Sequence, residues 1–207
     1  NFFILTQRVQ LSQLAIDEIY DYLLKKRAIQ KLLRNINSNK LYIRTRAITY
    51  LSLFRNETTK TALLDRLEIE KKDHIKILIV NGLKRDIDED VLKGIIKSLI
   101  FSKRYYQKRV IKILRKYINQ SKYDLSRHFE SPIIEIREAF IELSMQVYHP
   151  NFETPLKNTL KEIEEHYVQG NSIILSMITK KRIDRLYYQT LIALSSYYDL
   201  DLVQLFL

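Results

Sequence analysis

The sequence holds no cysteine, no tryptophan, and only three glycines and three prolines in 207 residues. Without cysteine there is no disulfide scaffold, no Cys-ligated zinc site and no thiol nucleophile. The lack also accords with a reducing compartment, and the location expected is cytoplasmic. Glycine and proline fall far below their usual shares of about 7% and about 5%. Glycine-rich phosphate loops and turn-dense β folds both need more. No apolar run approaches the roughly 20 residues of a membrane span; the longest, such as Phe2 to Leu5, are short. From Lys103 to Lys116 there is no acid at all.

What is present is a helical pattern. Hydrophobic residues make up 46% of the chain, enough for a packed core. From Leu11 to Leu33, Leu11, Leu14, Ala15, Ile19, Tyr22, Leu23, Ile29 and Leu33 recur at three and four, which predicts one buried helical stripe. Strand-like alternation is never sustained. Short polar clusters punctuate the pattern at Asn35–Lys40, Arg55–Thr59, Asp86–Asp90, Ser102–Arg104, Asn119–Lys122, Ser131-Pro132, His149–Thr154 and Gly170–Ser172. Several supply Asn, Asp or Ser to cap the next helix. No low-complexity linker divides the chain, so one helical array over 1–207 is expected. Residues 1–34 form an N-terminal helix region, 35–150 the clearest repeats, and 151–207 degenerate repeats or a cap. The chain opens at Asn1 without Met and closes on the apolar Val203–Leu207. Both ends fit an excised fragment, truncated inside a C-terminal repeat, as well as they fit a native end docked on the core.

The array repeats. Ile43-Arg44 is followed by Ala47 and Leu51; the same offsets give Ile75-Lys76, Ile79 and Leu83, then Tyr106-Gln107, Val110 and Leu114. Ile136-Arg137, Ala139 and Leu143 form a fourth unit, one residue out of register. The starts are spaced 32, 31 and 30 residues apart. Partner helices are expected over Thr59–Ile69, Asp90–Phe101 and Lys122–Phe129. Leu156–Tyr167, Asn171–Ile178 and Ile183–Tyr198 read as three more helices. Offsets of zero, four and eight share one helix face, so each second helix buries the same stripe. A lone hairpin cannot bury that face, but stacked hairpins can.

This pattern resembles the HEAT-like helical repeats of bacteria, in the short form also seen in phycobilisome-lyase-type repeat proteins. In that family each second helix opens with a β-branched and a basic residue, followed by Ala and Leu. Ile43-Arg44-Thr45-Arg46-Ala47 with Leu51 is the best match, and Ser131-Pro132 before Ile136-Arg137-Glu138-Ala139 echoes the family's polar-Pro turn. The resemblance covers about Asn35 to Pro150. The family's Gly after the second helix and its Asp-Pro turn are mostly missing. The resemblance implies an all-α fold, an α-α superhelix (solenoid) of stacked antiparallel hairpins with a period of about 31 residues. It also implies that the second helices line a concave groove.

The net charge of +11 is unevenly placed. Residues 1–120 hold 26 Lys+Arg and 12 Asp+Glu, whereas residues 121–207 hold 9 and 12. On a helix Arg104, Lys108, Lys112 and Arg115 fall along one ridge, opposite Tyr106, Val110, Ile113, Leu114 and Tyr117. With the second helices on the groove, Arg44, Lys76, Lys108 and Lys112 would make a basic strip. The candidate contact residues are therefore Arg44, Arg46, Lys76, Arg104, Lys108, Lys112 and Arg115. Solvation alone also accounts for a basic helix face.

A basic strip attracts polyanions. The partner expected is a protein or acidic peptide held by a non-catalytic scaffold. The alternative is nucleic acid, with Tyr105 and Tyr106 beside the ridge to stack on bases. An anionic membrane surface would serve if an anchor preceded Asn1. No cofactor is expected. His74, His128, His149 and His166 show no compact ligand spacing. Glu162, Glu164, Glu165 and His166 read as a solvated helix face. Asp86-Ile87-Asp88-Glu89-Asp90 alternates acids like a Ca²⁺ loop but lacks its Gly and its final Glu, and helix capping explains it better. Helical-repeat DNA glycosylases have related folds but typically use Trp, which is absent here. No GxSxG, Walker A or Rossmann fingerprint occurs.

Overall fold

The computed structural model describes residues 12–85, 87–118, 124–170 and 172–198. The apolar ends at Phe2–Leu5 and Val203–Leu207, Leu11, Asp86, Asn171 and the break at Asn119–Lys122 lie outside the described residues. Every regular element among the described residues is helical, and none is a strand. The fold is all-α. None of the described helices is long and apolar enough to cross a membrane.

The chain divides into two compact units, Asn1–Ile95 and Ile96–Leu207. The first contains α1 (Gln13–Lys25), α2 (Ala28–Asn35), α3 (Leu41–Leu51), α4 (Glu57–Ile69) and α5 (Asp73–Leu83). The sixth helix, α6 (Glu89–Lys97), runs across the division. Capping starts these helices where the sequence offers it. The Ala15 amide donates to the Ser12 hydroxyl at 3.3 Å, the Thr59 amide to Asn56 Oδ1 at 3.0 Å, and the Val91 amide to Asp88 Oδ1 at 2.9 Å. Each bond satisfies one of the orphan amides of a first turn.

Within this unit α1 packs on α2, α2 on α3, α3 on both α4 and α5, and α4 on α5. Ala47, Ile48 and Leu51 of α3, Ile75, Ile79 and Leu83 of α5, and Leu63 and Leu67 of α4 are buried in its core. The α3–α5 approach is close because Gly82 has no Cβ. One placed there would lie 2.2 Å from Ser52 Oγ and 2.6 Å from Ser52 Cβ.

The second unit contains α7 (Arg104–Tyr117), a 3₁₀ turn (Ser126–His128), α8 (Ile134–Ser144), a second 3₁₀ turn (Pro150–Phe152), α9 (Glu153–Gln169), the short α10 (Ile173–Ser176) and α11 (Lys180–Tyr198). Here α7 packs on α8, α8 on α11, and α9 on α11. Tyr106, Val110 and Leu114 of α7, Phe140 and Leu143 of α8, Leu156 and Ile163 of α9, and Leu186 and Ala193 of α11 are buried. Phe129 sits between Phe140 and Phe152, with ring centroids 5.9 and 4.8 Å away. Gly170, at φ 66°, closes α9 in the left-handed region that glycine tolerates.

Four sequence expectations are corrected. The buried stripe expected over Leu11–Leu33 is, among its described residues, split between two helices, broken where Arg27 adopts φ 57°. The stripe also has a gap from Leu23 to Ile29, and Leu14 is 70% exposed. A helix over Asp90–Phe101 stops at Lys97 instead, and Phe101 takes φ 53°. The partner helix over Lys122–Phe129 is a 3₁₀ turn among its described residues. Among its described residues, Asn171–Ile178 shrinks to the four residues of α10.

Candidate functional site

Arg44 and Lys76 are not on a surface strip. Both are 7% exposed. The Arg44 Nε donates to Glu70 Oε2 at 2.9 Å, and its Nη1 to the Ser38 carbonyl at 2.7 Å. Glu70 also accepts Arg66 Nη2 at 2.6 Å and the amides of Lys71 and Lys72 at 3.0 Å each. Burial pushes the Glu70 carboxyl up, but the Lys72 amide and the Arg66 and Arg44 guanidiniums outweigh it and hold it below the usual range. Burial lowers the Lys76 ammonium, opposed by Asp73 and Glu70. The basic position that opens a second helix thus faces the joint between helices rather than solvent.

The same position recurs in the second unit with the same job. Arg137, 2% exposed, donates Nε to the Ser131 carbonyl at 3.2 Å and Nη1 to Glu162 Oε2 at 2.6 Å. At the corresponding position Gln107 donates to the Ser102 carbonyl at 3.4 Å. Each side chain ties its helix to the turn five or six residues before it. The two arginines add a carboxylate about one repeat further on.

Arg46 lies apart from them. It is exposed, its Nε bonds the Tyr50 hydroxyl at 3.1 Å, and its guanidinium sits 5.3 Å from the Tyr50 ring centroid. It borders a cavity of about 490 Å³ in the first unit, lined by Leu23, Leu32, Tyr42 and Ile43.

The remaining four candidates come together. Arg104, Lys108, Lys112 and Arg115 are all exposed on α7, with Arg109 and Lys116 beside them. Tyr106, Gln107, Val110, Ile111 and Leu114 are buried on the other face. The core therefore fixes which way the cations point. Glu142 approaches Arg104 at 3.8 Å. Tyr106 belongs to the core and Tyr105 to the surface.

No family model, curated protein or solved structure matches this chain.

The neighbouring helices bring in residues that periodicity and motif did not single out. The buried Glu138 of α8 accepts Arg182 Nε and Nη2 of α11, both at 2.8 Å, and also Arg185 Nη2. Burial pushes its carboxyl up, but the two guanidiniums more than offset this and keep it below its ordinary value. A polar cleft of about 160 Å³ opens here, lined by Ser102, Arg104, Gln107, Glu142, Arg185 and Gln189 among others. The one available signal was the i, i+3 spacing of Arg182 and Arg185 against that of Glu135 and Glu138.

Other acidic groups have structural partners. Glu162 accepts from Ser172 Oγ at 2.7 Å as well as from Arg137. Asp88 caps α6 and accepts Lys60 Nζ at 2.7 Å. Among the described residues no group of three His, Cys, Asp or Glu side chains is placed to hold a metal ion. His128 stacks on Phe140 at 4.8 Å, and burial, with Arg127 adding to it, lowers its imidazole to about 4.

Proposed function

We propose that this chain is a non-catalytic binding scaffold of HEAT-like hairpins, stacked as an α-α superhelix, that holds an acidic protein or peptide. Its contact surface is the exposed face of α7. The observation that carries the reading is a contrast between two kinds of cation. The buried guanidiniums of Arg44 and Arg137 are spent on carboxylates of their own unit, Glu70 and the part-exposed Glu162. Lys108, Lys112 and Arg115 instead stand in water on a helix held rigid by Tyr106, Val110 and Leu114. Cations spaced i, i+4 on a fixed helix meet carboxylates with little further ordering, Arg as a fork and Lys as a point charge. The cysteine-free composition suits a reducing, cytoplasmic setting.

The test is titration of the full chain with poly-L-glutamate. The Lys108→Glu/Lys112→Glu variant should bind at least about tenfold more weakly with unchanged helicity. Equal affinity would move the contact surface off α7. A second reading, nucleic acid, draws on Tyr105, 48% exposed beside the cations, whose ring would stack on a base. It predicts that an oligonucleotide binds more tightly than poly-L-glutamate, with affinity falling steeply in salt.

A further inference from the structure

Two anomalies sit side by side in the turn that leads into α7. The Ser102 hydroxyl is buried and has no hydrogen-bond partner, in a residue only 9% exposed. An unsatisfied buried hydroxyl is costly, and such a group in a folded protein calls for an explanation. The residue before it, Phe101, holds φ 53°, a left-handed conformation that bulky L-residues rarely adopt. Its side chain is 92% exposed, so no burial compensates for the strain. The turn is closed by the Ser102 amide donating to the Leu99 carbonyl at 3.0 Å. The strain at Phe101 therefore accompanies a buried, unpartnered hydroxyl on a residue that lines the cleft, with an exposed aromatic ring one residue before it.

The cleft carries three guanidiniums against two carboxylates, so donors outnumber the charged acceptors. Glu138 is filled by three guanidinium bonds. Arg104 has Glu142 at only 3.8 Å, and Arg185 commits one Nη2 bond of its five donors. Ser102 and the Gln189 amide add further donors to the lining. The complement of such a set is an acceptor-only anion. The volume of about 160 Å³ corresponds to about five waters at about 30 Å³ each. That suits a carboxylate. Glu138 and Glu142 in the wall also disfavour a doubly charged phosphate over a singly charged carboxylate, through like-charge repulsion.

We propose that the cleft between α7, α8 and α11 is an anchor subsite for an Asp or Glu side chain of the partner. The Ser102 hydroxyl and the Arg104 and Arg185 guanidiniums receive the carboxylate, and Phe101 takes an apolar residue next to it. The partner segment is thus an acidic residue flanked by a hydrophobic one. This rests on the reading of unit 2 as the surface for an acidic partner, and it names the element of that partner which is recognised.

The probe is a short acetylated peptide alternating Glu and Leu, with a Gln–Leu peptide as control, titrated into the full chain and into Ser102→Ala and Phe101→Gly. The Glu–Leu peptide should bind at least about tenfold more tightly than its control, and each variant should lose at least about fivefold. Both variants should also melt at higher temperature, since one removes an unsatisfied hydroxyl and the other a strained φ. Weaker binding in a more stable protein cannot come from unfolding. If both variants bind the peptide as the parent does while Lys108→Glu/Lys112→Glu abolishes binding, the cleft is not the anchor and the α7 surface stands. If the peptide does not bind at millimolar concentration, or none of the variants changes its affinity, both ideas fall. Inorganic phosphate displacing the peptide at lower concentration than acetate would overturn the carboxylate assignment.

Discussion

The guanidinium of Arg137 meets the carboxylate of Glu162 at 2.6 Å, and Arg44 meets Glu70 at 2.9 Å in the other unit. Both arginines also hold the carbonyl of a serine six residues earlier, Ser131 and Ser38. One device thus appears twice: a buried arginine that joins its own turn to an acid about one repeat ahead. Arg137→Ala removes a buried side chain and its two hydrogen bonds but leaves Glu162, 30% exposed, in reach of water and of Ser172. It should cost about 1–3 kcal/mol, measured by urea unfolding, whereas Arg115→Ala on the exposed face should cost within about 0.5 kcal/mol.

The two glycines on helices of the first unit should respond oppositely to alanine. Alanine gains up to about 1 kcal/mol of helix propensity at either position. At Gly82 the new Cβ would lie 2.6 Å from Ser52 Cβ and 3.4 Å from its Cα, so α3 and α5 must separate. At Gly94 it meets only the end of the Leu64 side chain at 2.7 Å, which can rotate away. Gly82→Ala should therefore destabilise by about 1–3 kcal/mol, while Gly94→Ala should be neutral or slightly stabilising. Thermal melts of the two variants provide the comparison.

Acid should destabilise the protein in two stages. His128 has its imidazole lowered to about 4, so as pH falls below the ordinary 6.5 the unfolded chain takes up a proton that the native chain refuses. Stability is lost from about pH 6.5 down to about 4. The carboxyls of Glu70 and Glu138, both held low, contribute stability above their unfolded values that is lost as pH falls through their folded ones. His128→Gln should flatten the first stage only, by a few degrees of melting temperature, read by calorimetry across pH.

The Glu138 pairings should couple α8 to α11. Arg182 and Arg185 share one buried carboxylate, so their losses will not add. Arg182→Ala should destabilise by about 2–3 kcal/mol and Arg185→Ala, at the more exposed position, by about 1 kcal/mol or less. A double-mutant cycle with Glu138→Gln checks the coupling. Additive losses would mean that the three side chains act independently.

Much of the candidate surface was legible without coordinates. Periodicity along Lys103–Lys116 separated Arg104, Lys108, Lys112 and Arg115 from Tyr106, Val110 and Leu114, because a 3.6-residue period assigns faces from spacing alone. Arg44 and Lys76 could not be assigned that way. They follow an apolar residue at the start of a helix, and their direction depends on whether an acid waits across the joint. Glu70 stands 26 residues from Arg44, and no local pattern connects the two. The cleft was likewise hidden, because Ser102, Glu138 and Arg185 belong to a turn and two helices that only packing brings together.

The sequence by itself determined an all-helical chain. The scarcity of glycine and proline, the recurrence of apolar residues at three and four, and the capping Asn, Asp and Ser are local properties that act within one or two turns. Tertiary structure decided which cations are consumed and which remain available. The fate of a charge depends on its desolvation and on the nearest opposite charge, and in this fold that neighbour lies on another element, as Glu70 just past α4 does for Arg44 and Glu138 on α8 does for Arg185.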